Sequence, residues 1–223
     1  MARRRIELKF KDKDLWYLVG LTATDGNLSS DGRHIDITSK YQNFLENIKV
    51  ELGLENKIGI KSSGSKVLEK YYHIQIANKN FYDFLLSIGL TPNKSLSLGE
   101  LKVPNKWFVD FIRGVIDGDG SIRKWFHPSN QGEQWSLRIY SASPKFINWL
   151  RESIERMFLA KGRIHENANN CYVLKFGKLA AKRILQSCYY EKCLSLDRKN
   201  RLAEKCGIST DGWGKSKTLL CAA

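Results

Sequence analysis

The sequence predicts an α+β fold made of two related units, each in the order αββαββα, joined into one pseudo-symmetric molecule. Three observations carry this reading. A stretch ending in Asp-Gly occurs twice, as Leu18 to Gly26 and as Ile112 to Gly120. After each copy the apolar period switches from helical to alternating and back, in the same order. Local sequence also recurs: Ile37-Thr38-Ser39 through Phe44 answers Ile139-Tyr140-Ser141 through Phe146, and Tyr72 to Ile76 answers Tyr172 to Phe176. Repeats of so long a period are two folded units rather than a solenoid.

The elements follow in order. Asp12 or Asp14 is placed to cap a first helix that runs to about Thr24. A short strand follows near residues 27–30. Residues 33–39 alternate, with Ile35 and Ile37 on one face, and read as a half-buried strand. Phe44, Ile48 and Leu52, four apart, mark a helix over residues 42–52. Strands at 57–61 and 71–76, separated by a Gly/Ser turn at 62–65, and a helix over 79–88 close the first unit. The second unit repeats the order: a helix at 107–117, strands at 121–126 and 135–141, a helix at 144–159, strands at 162–166 and 172–176, and a helix at 178–189. The units are therefore expected at residues 1–98, with a basic arm at 1–10, and at 107–206. A linker at 99–106 is too short to leave them as separate beads, and residues 207–223, rich in Gly, Ser, Thr and Lys, are expected to be a mobile tail.

Each repeated stretch is an apolar helical run with small residues four apart, Gly20 and Thr24 in the first and Gly114 and Gly118 in the second. Positions four apart share a helix face, and a face without bulk lets two backbones approach closely. Packing the two copies together would bring Asp25 and Asp119 to one end. Helix C-termini favour a cation, and two carboxylates there repel unless one is protonated or a metal lies between them. Asp-Gly alone is a common turn signal, but two copies in matched context are more than punctuation.

At these residues the sequence resembles the LAGLIDADG homing endonuclease family, in its single-chain, two-motif form. The second copy is close to the motif, whereas in the first Ala23 replaces the first Asp and Thr22 and Thr24 replace commoner residues. The resemblance implies metal ligation by Asp25 and Asp119, with the backbone carbonyls of Thr24 and Gly118. It also implies a lysine near the cut phosphates, for which Lys94 and Lys199, in the basic segments after the last helix of each unit, match best, with Arg198 as the alternative in the second. Mg²⁺ suits such an all-oxygen site.

Alternation places one polar, basic face on each sheet. Its members are Ser29, His34, Asp36, Thr38, Lys57, Lys61, His73 and Gln75 in the first unit. In the second they are Arg123, Trp125, Ser136, Arg138, Tyr140, Arg163, His165 and Lys175. Such side chains pair with base edges and phosphates. Together they would make a saddle for double-stranded DNA, the surface the resemblance also implies.

Composition agrees with a polyanionic partner: the 223 residues carry a formal net charge of +14. No apolar run is long enough to span a bilayer, and Met1 to Arg5 lacks the apolar region of a signal peptide. A soluble, intracellular monomer is expected. The five cysteines, Cys171, Cys188, Cys193, Cys206 and Cys221, are odd in number and lack Cys-x-x-Cys spacing, which argues against a disulfide framework or a zinc site. The function expected is site-specific cleavage of double-stranded DNA with a divalent metal. The alternative is a non-cleaving nucleic-acid binder on the same fold, an RNA maturase or a regulator.

Overall fold

The computed structural model describes residues 11–62, 70–167 and 171–208. The basic arm, residues 63–65 of the Gly/Ser turn and the tail from residue 209 lie outside them. The first unit comprises α1 (Asp12–Thr24), β1 (Gly26–Leu28), β2 (His34–Ser39), α2 (Gln42–Glu51), β3 (Ile58–Ser62), β4 (Lys70–Ala77) and α3 (Lys79–Ser87). A 3-10 turn at Asn105–Trp107 leads into the second unit. That unit comprises α4 (Phe108–Asp119), β5 (Gly120–Phe126), β6 (Glu133–Ser141), α5 (Pro144–Phe158), β7 (Arg163–Asn167), β8 (Cys171–Phe176), α6 (Lys178–Cys188) and α7 (Asp197–Ile208). The two four-stranded sheets are antiparallel and ordered β1-β2-β4-β3 and β5-β6-β8-β7.

Two expectations need correction. Neither Asp12 nor Asp14 caps α1: Lys11 is the N-cap and makes no side-chain cap, while both acids lie in the first turn, where the positive end of the helix dipole accepts them. The segment after α6, for which no helix was expected, is helical from Asp197 to Ile208, two residues into the expected tail. Side-chain caps stand at different places in the two units, on the third helix of the first and the second helix of the second. Asn78 accepts the Phe81 amide at the start of α3, and Ser143 accepts the Phe146 amide at the start of α5, followed by Pro144. Ser143 also donates to the Leu98 carbonyl, which ties the end of the first unit to the second.

The core is organised around α1 and α4, whose residues Tyr17, Leu18, Val19, Phe111, Ile112, Val115 and Ile116 have no exposed surface. A Cβ added at Gly20 would collide with the Phe111 carbonyl, and one at Gly114 with the Tyr17 carbonyl. Phe111 stands 94 residues after Tyr17, as Gly114 stands 94 after Gly20 and Asp119 after Asp25. The contact is thus isologous, each helix presenting the same patch to the other, as in a two-fold dimer interface. A Cβ on Gly118 would meet the Thr24 side chain, so all four small residues lie where the helices touch. Each sheet buries one face against the helices, through Ile35, Ile37, Ile74 and Ile76 in one and Leu137, Ile139, Leu174 and Phe176 in the other.

Candidate active site and nucleic-acid interface

Asp25 is the C-cap of α1 and Asp119 the last residue of α4. Because the helices run side by side in the same direction, their C-terminal ends meet and the carboxylates are held together. Burial first, and then the Asp119 charge, raise the pKa of Asp25 to about 6 against the opposing charges of Lys199 and Lys94. Asp119 is also raised by burial, again opposed by the two lysines. Both side chains keep solvent-open tips although protein surrounds them on the other sides. An open, all-oxygen pocket with two repelling carboxylates fits a divalent cation. Among the described residues no cluster of three or more His, Cys, Asp or Glu occurs. The protein would thus offer only two carboxylates, which suits Mg²⁺, an ion that keeps several waters.

The two lysines are buried, at 7% exposure for Lys94 and 2% for Lys199, and approach the site differently. Lys94 donates to the carbonyl of Gly26, immediately after Asp25. Lys199, in the first turn of α7, donates to the carbonyls of Ile116 and Asp117 at 2.6 Å and of Gly118 at 3.0 Å. It closes the C-terminal turn of α4 as a fixed cation, the arrangement the helix dipole favours. Burial lowers the pKa of Lys199 to about 8 and that of Lys94 below the usual lysine value, while the carboxylates oppose the shift. The Gly118 carbonyl, expected to face a metal, thus already accepts from Lys199.

Register puts the expected reading residues on one face of each sheet. Across the second sheet Arg138 pairs with Ser121 and Lys175, and Lys175 with Arg163, forming a row. Arg123 and Trp125 on β5, Tyr140 on β6 and His165 on β7 share that face. Arg138, Lys175 and Arg163 make no ion pair among the described residues, and the Arg138 Nε is buried without a hydrogen-bond partner. Like charges side by side on a sheet are destabilising, and nothing among the described residues neutralises this row. Ser136 is a correction: on an inner strand, opposite Arg123 and two residues from Arg138, its short side chain is 1% exposed and out of reach of a ligand.

The first sheet's face differs. Asp36 pairs with Lys61 at 2.7 Å and with His73 at 3.2 Å, Lys61 also donates to Thr38, and Gln75 lies opposite Asp36. His34 pairs with Asp31, and Ser29 and Lys57 continue the alternation at the strand ends. Asn27, Ser121 and Gln134 share these faces and were missed, although each lies two residues from a predicted member.

No family profile and no curated protein matches the sequence. Solved structures do. The homing endonuclease I-WcaI, bound to its DNA recognition sequence, aligns over 80% of this chain and 81% of its own, with a TM-score of 0.61 and 11% identity. Mesophilic variants of the homing endonuclease I-DmoI align over 86% and 97%, with a TM-score of 0.56 and 16% identity. This is the LAGLIDADG fold. Full-length DUF199/WhiA from Thermatoga maritima shares it, with a TM-score of 0.56 and 16% identity over 93% of this chain, which spans 65% of that protein's length. The N-terminal LAGLIDADG domain of DUF199/WhiA is covered to 90%, with a TM-score of 0.55 and 18% identity.

Within the LAGLIDADG fold the two motif helices differ in what surrounds them. Asp117 is buried and accepts from the Tyr17 hydroxyl at 2.8 Å, the Tyr189 hydroxyl at 2.6 Å and the Leu196 amide at 2.7 Å. Arg113, fully buried, pairs with Asp110 at 2.8 Å and donates to the carbonyls of Leu194 and Cys188. These bonds pin the segment after α6 to α4 and so set where α7 begins and where Lys199 points. The matching positions on α1 are Trp16, Val19 and Ala23, which pack apolar contacts instead. Sequence reasoning noted Ala23 but missed the network, since its partners lie 72 to 100 residues away.

Proposed function

We propose that this chain is a metal-dependent endonuclease that cuts both strands of double-stranded DNA at a long, non-palindromic site, acting as a monomer. The observation that carries the reading is the acidic pair at the joined helix ends, with two buried lysines beside it and a basic sheet face on either side. Perturbed carboxylates in an open site mark functional chemistry more often than ordinary surface acids do. A divalent cation such as Mg²⁺, held by Asp25 and Asp119 with the carbonyls of Thr24 and Gly118, would activate a water and offset charge on the scissile phosphate. I-WcaI and an I-DmoI variant were both solved on DNA, the latter in the presence of Mg.

The chain's own residues have separable roles in this proposal. Asp25 and Asp119 anchor the cation and accept its charge. Lys94 and Lys199 supply positive charge where the transition state becomes more negative. Residues 1–98 and 107–206 each read one half-site through their sheet faces, with 99–106 as the linker. Arg138, Lys175, Arg163, Arg123, His165, Tyr140 and Trp125 serve one half; Lys57, Lys61, His73, His34, Thr38, Gln75, Asp36 and Ser29 serve the other.

One observation favours a second reading, a non-cleaving DNA binder: all three protons of the Lys199 ammonium are used on α4 carbonyls. Selecting bound duplexes from a randomised library, then adding Mg²⁺ and sequencing the ends, separates the two. Discrete double-strand ends within the selected site support the endonuclease. A selected site that stays intact with Mg²⁺ or Mn²⁺ supports the binder.

A further inference from the structure

The hairpins that leave the acidic centre differ in length. Each begins with the residue after its carboxylate, so distance along the strand measures distance from that centre. In the first unit β1 and β2 pair over three residues, Gly26 with Ile37 to Leu28 with Ile35; in the second β5 and β6 pair over seven, Gly120 with Ile139 to Phe126 with Glu133. The turns beyond are matched, closed by Ser29 N to His34 O in one and His127 N to Gly132 O in the other, both at 2.9 Å. The difference is thus four inserted residue pairs in the strands. At ~3.3 Å per strand residue this adds roughly 13 Å of reach, or about four base pairs at ~3.4 Å each.

The added length is braced and carries chemistry suited to DNA. On the helix-facing side Lys124 pairs with Glu133 at 2.6 Å and sits over the rings of Phe126 and Trp135, and α7, which has no counterpart in the first unit, packs against β5. Trp135 beneath is 1% exposed. The opposite side, continuous with the Arg138 row, carries Arg123, Gln134 and Trp125, the last 43% exposed at the far end. A rigid strand ribbon with an exposed aromatic at its tip is an interface feature.

Resting on the endonuclease or binder reading above, we propose that the DNA target has unequal half-sites, the half under the second repeat extending about four base pairs further from its centre through Arg123 and Trp125. The test uses the full chain and sites selected from a randomised duplex library, with the side read by the second repeat identified by Arg138→Ala. Base preference and hydroxyl-radical protection should reach further on that side. Trp125→Ala should weaken binding to the full site by roughly ten-fold, the loss of one interface aromatic, and leave binding unchanged on a duplex lacking the outer pairs. Equal extension on the two sides, or a Trp125→Ala loss that persists on the trimmed duplex, would overturn the proposal while leaving the broader reading intact. Failure to select any site would overturn both.

Discussion

Asp25 and Asp119 sit where burial disfavours their ionised forms, so holding both charged at neutral pH opposes folding. With a pKa raised to about 6, Asp25 is neutral in the folded state at a pH where the unfolded chain, at 3.8, is already ionised. Its contribution to stability is therefore full below about pH 4 and is lost as pH rises through about 6. Metal-free Asp25→Asn should melt above the parent protein at pH 8, with the gap closing below pH 4. A rise from 3.8 to about 6 in a sealed site corresponds to ~3 kcal/mol, but the solvent-open tip reduces the expected gain to about 1 kcal/mol. Identical melting at pH 8 would show that the carboxylates do not strain one another. The lysines give a second residue-scale prediction. Lys199 makes three charge-assisted bonds and Lys94 one, so Lys199→Met should cost about 2 kcal/mol or more and Lys94→Met about 1 kcal/mol. Both should lower a cleavage rate more than DNA affinity; equal losses in rate and affinity would make them phosphate anchors.

Among the elements, α1 and α4 leave no room for a side chain at their crossing. Gly114→Ala already meets backbone, not a side chain that could turn away, and Gly114→Leu adds more volume at the same place. The leucine variant should lose about 1–3 kcal/mol or more by denaturant unfolding, and an unchanged midpoint would mean that the helices are not in backbone contact there. This packing was legible in the sequence because small residues four apart on two copies define matching faces. The strand faces were legible too, since a two-residue period assigns every side chain once a few isoleucines are placed. Other features were not. In α7 the side chains turned inward are Lys199, Leu202, Ala203 and Cys206, a stripe at helical spacing that a lysine heads and only one large apolar residue marks, so the period did not stand out. The burial of Lys94 and Lys199 depends on helix ends 68 and 83 residues distant, beyond any local pattern. Ser136 kept the right parity and lost its access to taller neighbours, a matter of side-chain height that alternation does not encode.

For the whole molecule, a charge of +14 favours a polyanionic partner, and on DNA the salt dependence would follow the number of phosphates its cations neutralise. Lys175→Ala should lower the slope of log affinity against log salt by about one while leaving sequence preference intact. Arg138→Ala should instead relax preference by about 1–3 kcal/mol at one base pair in the second repeat's half-site. The faces of the two sheets differ, one a row of unpaired cations and the other an Asp36–Lys61–His73 network, so a palindrome made by duplicating either half-site should be a poorer target than the native sequence. Asp25 and Asp119, paired across the pseudo-two-fold axis, are proposed to serve cleavage and not binding. This role is tested most directly on the selected site with Mg²⁺, by measuring cleavage and affinity together for Asp25→Asn and Asp119→Asn. Each variant should bind nearly as tightly as the parent protein and cut neither strand appreciably. Full double-strand cleavage by either variant, or cleavage by the parent protein in excess EDTA, would contradict that role.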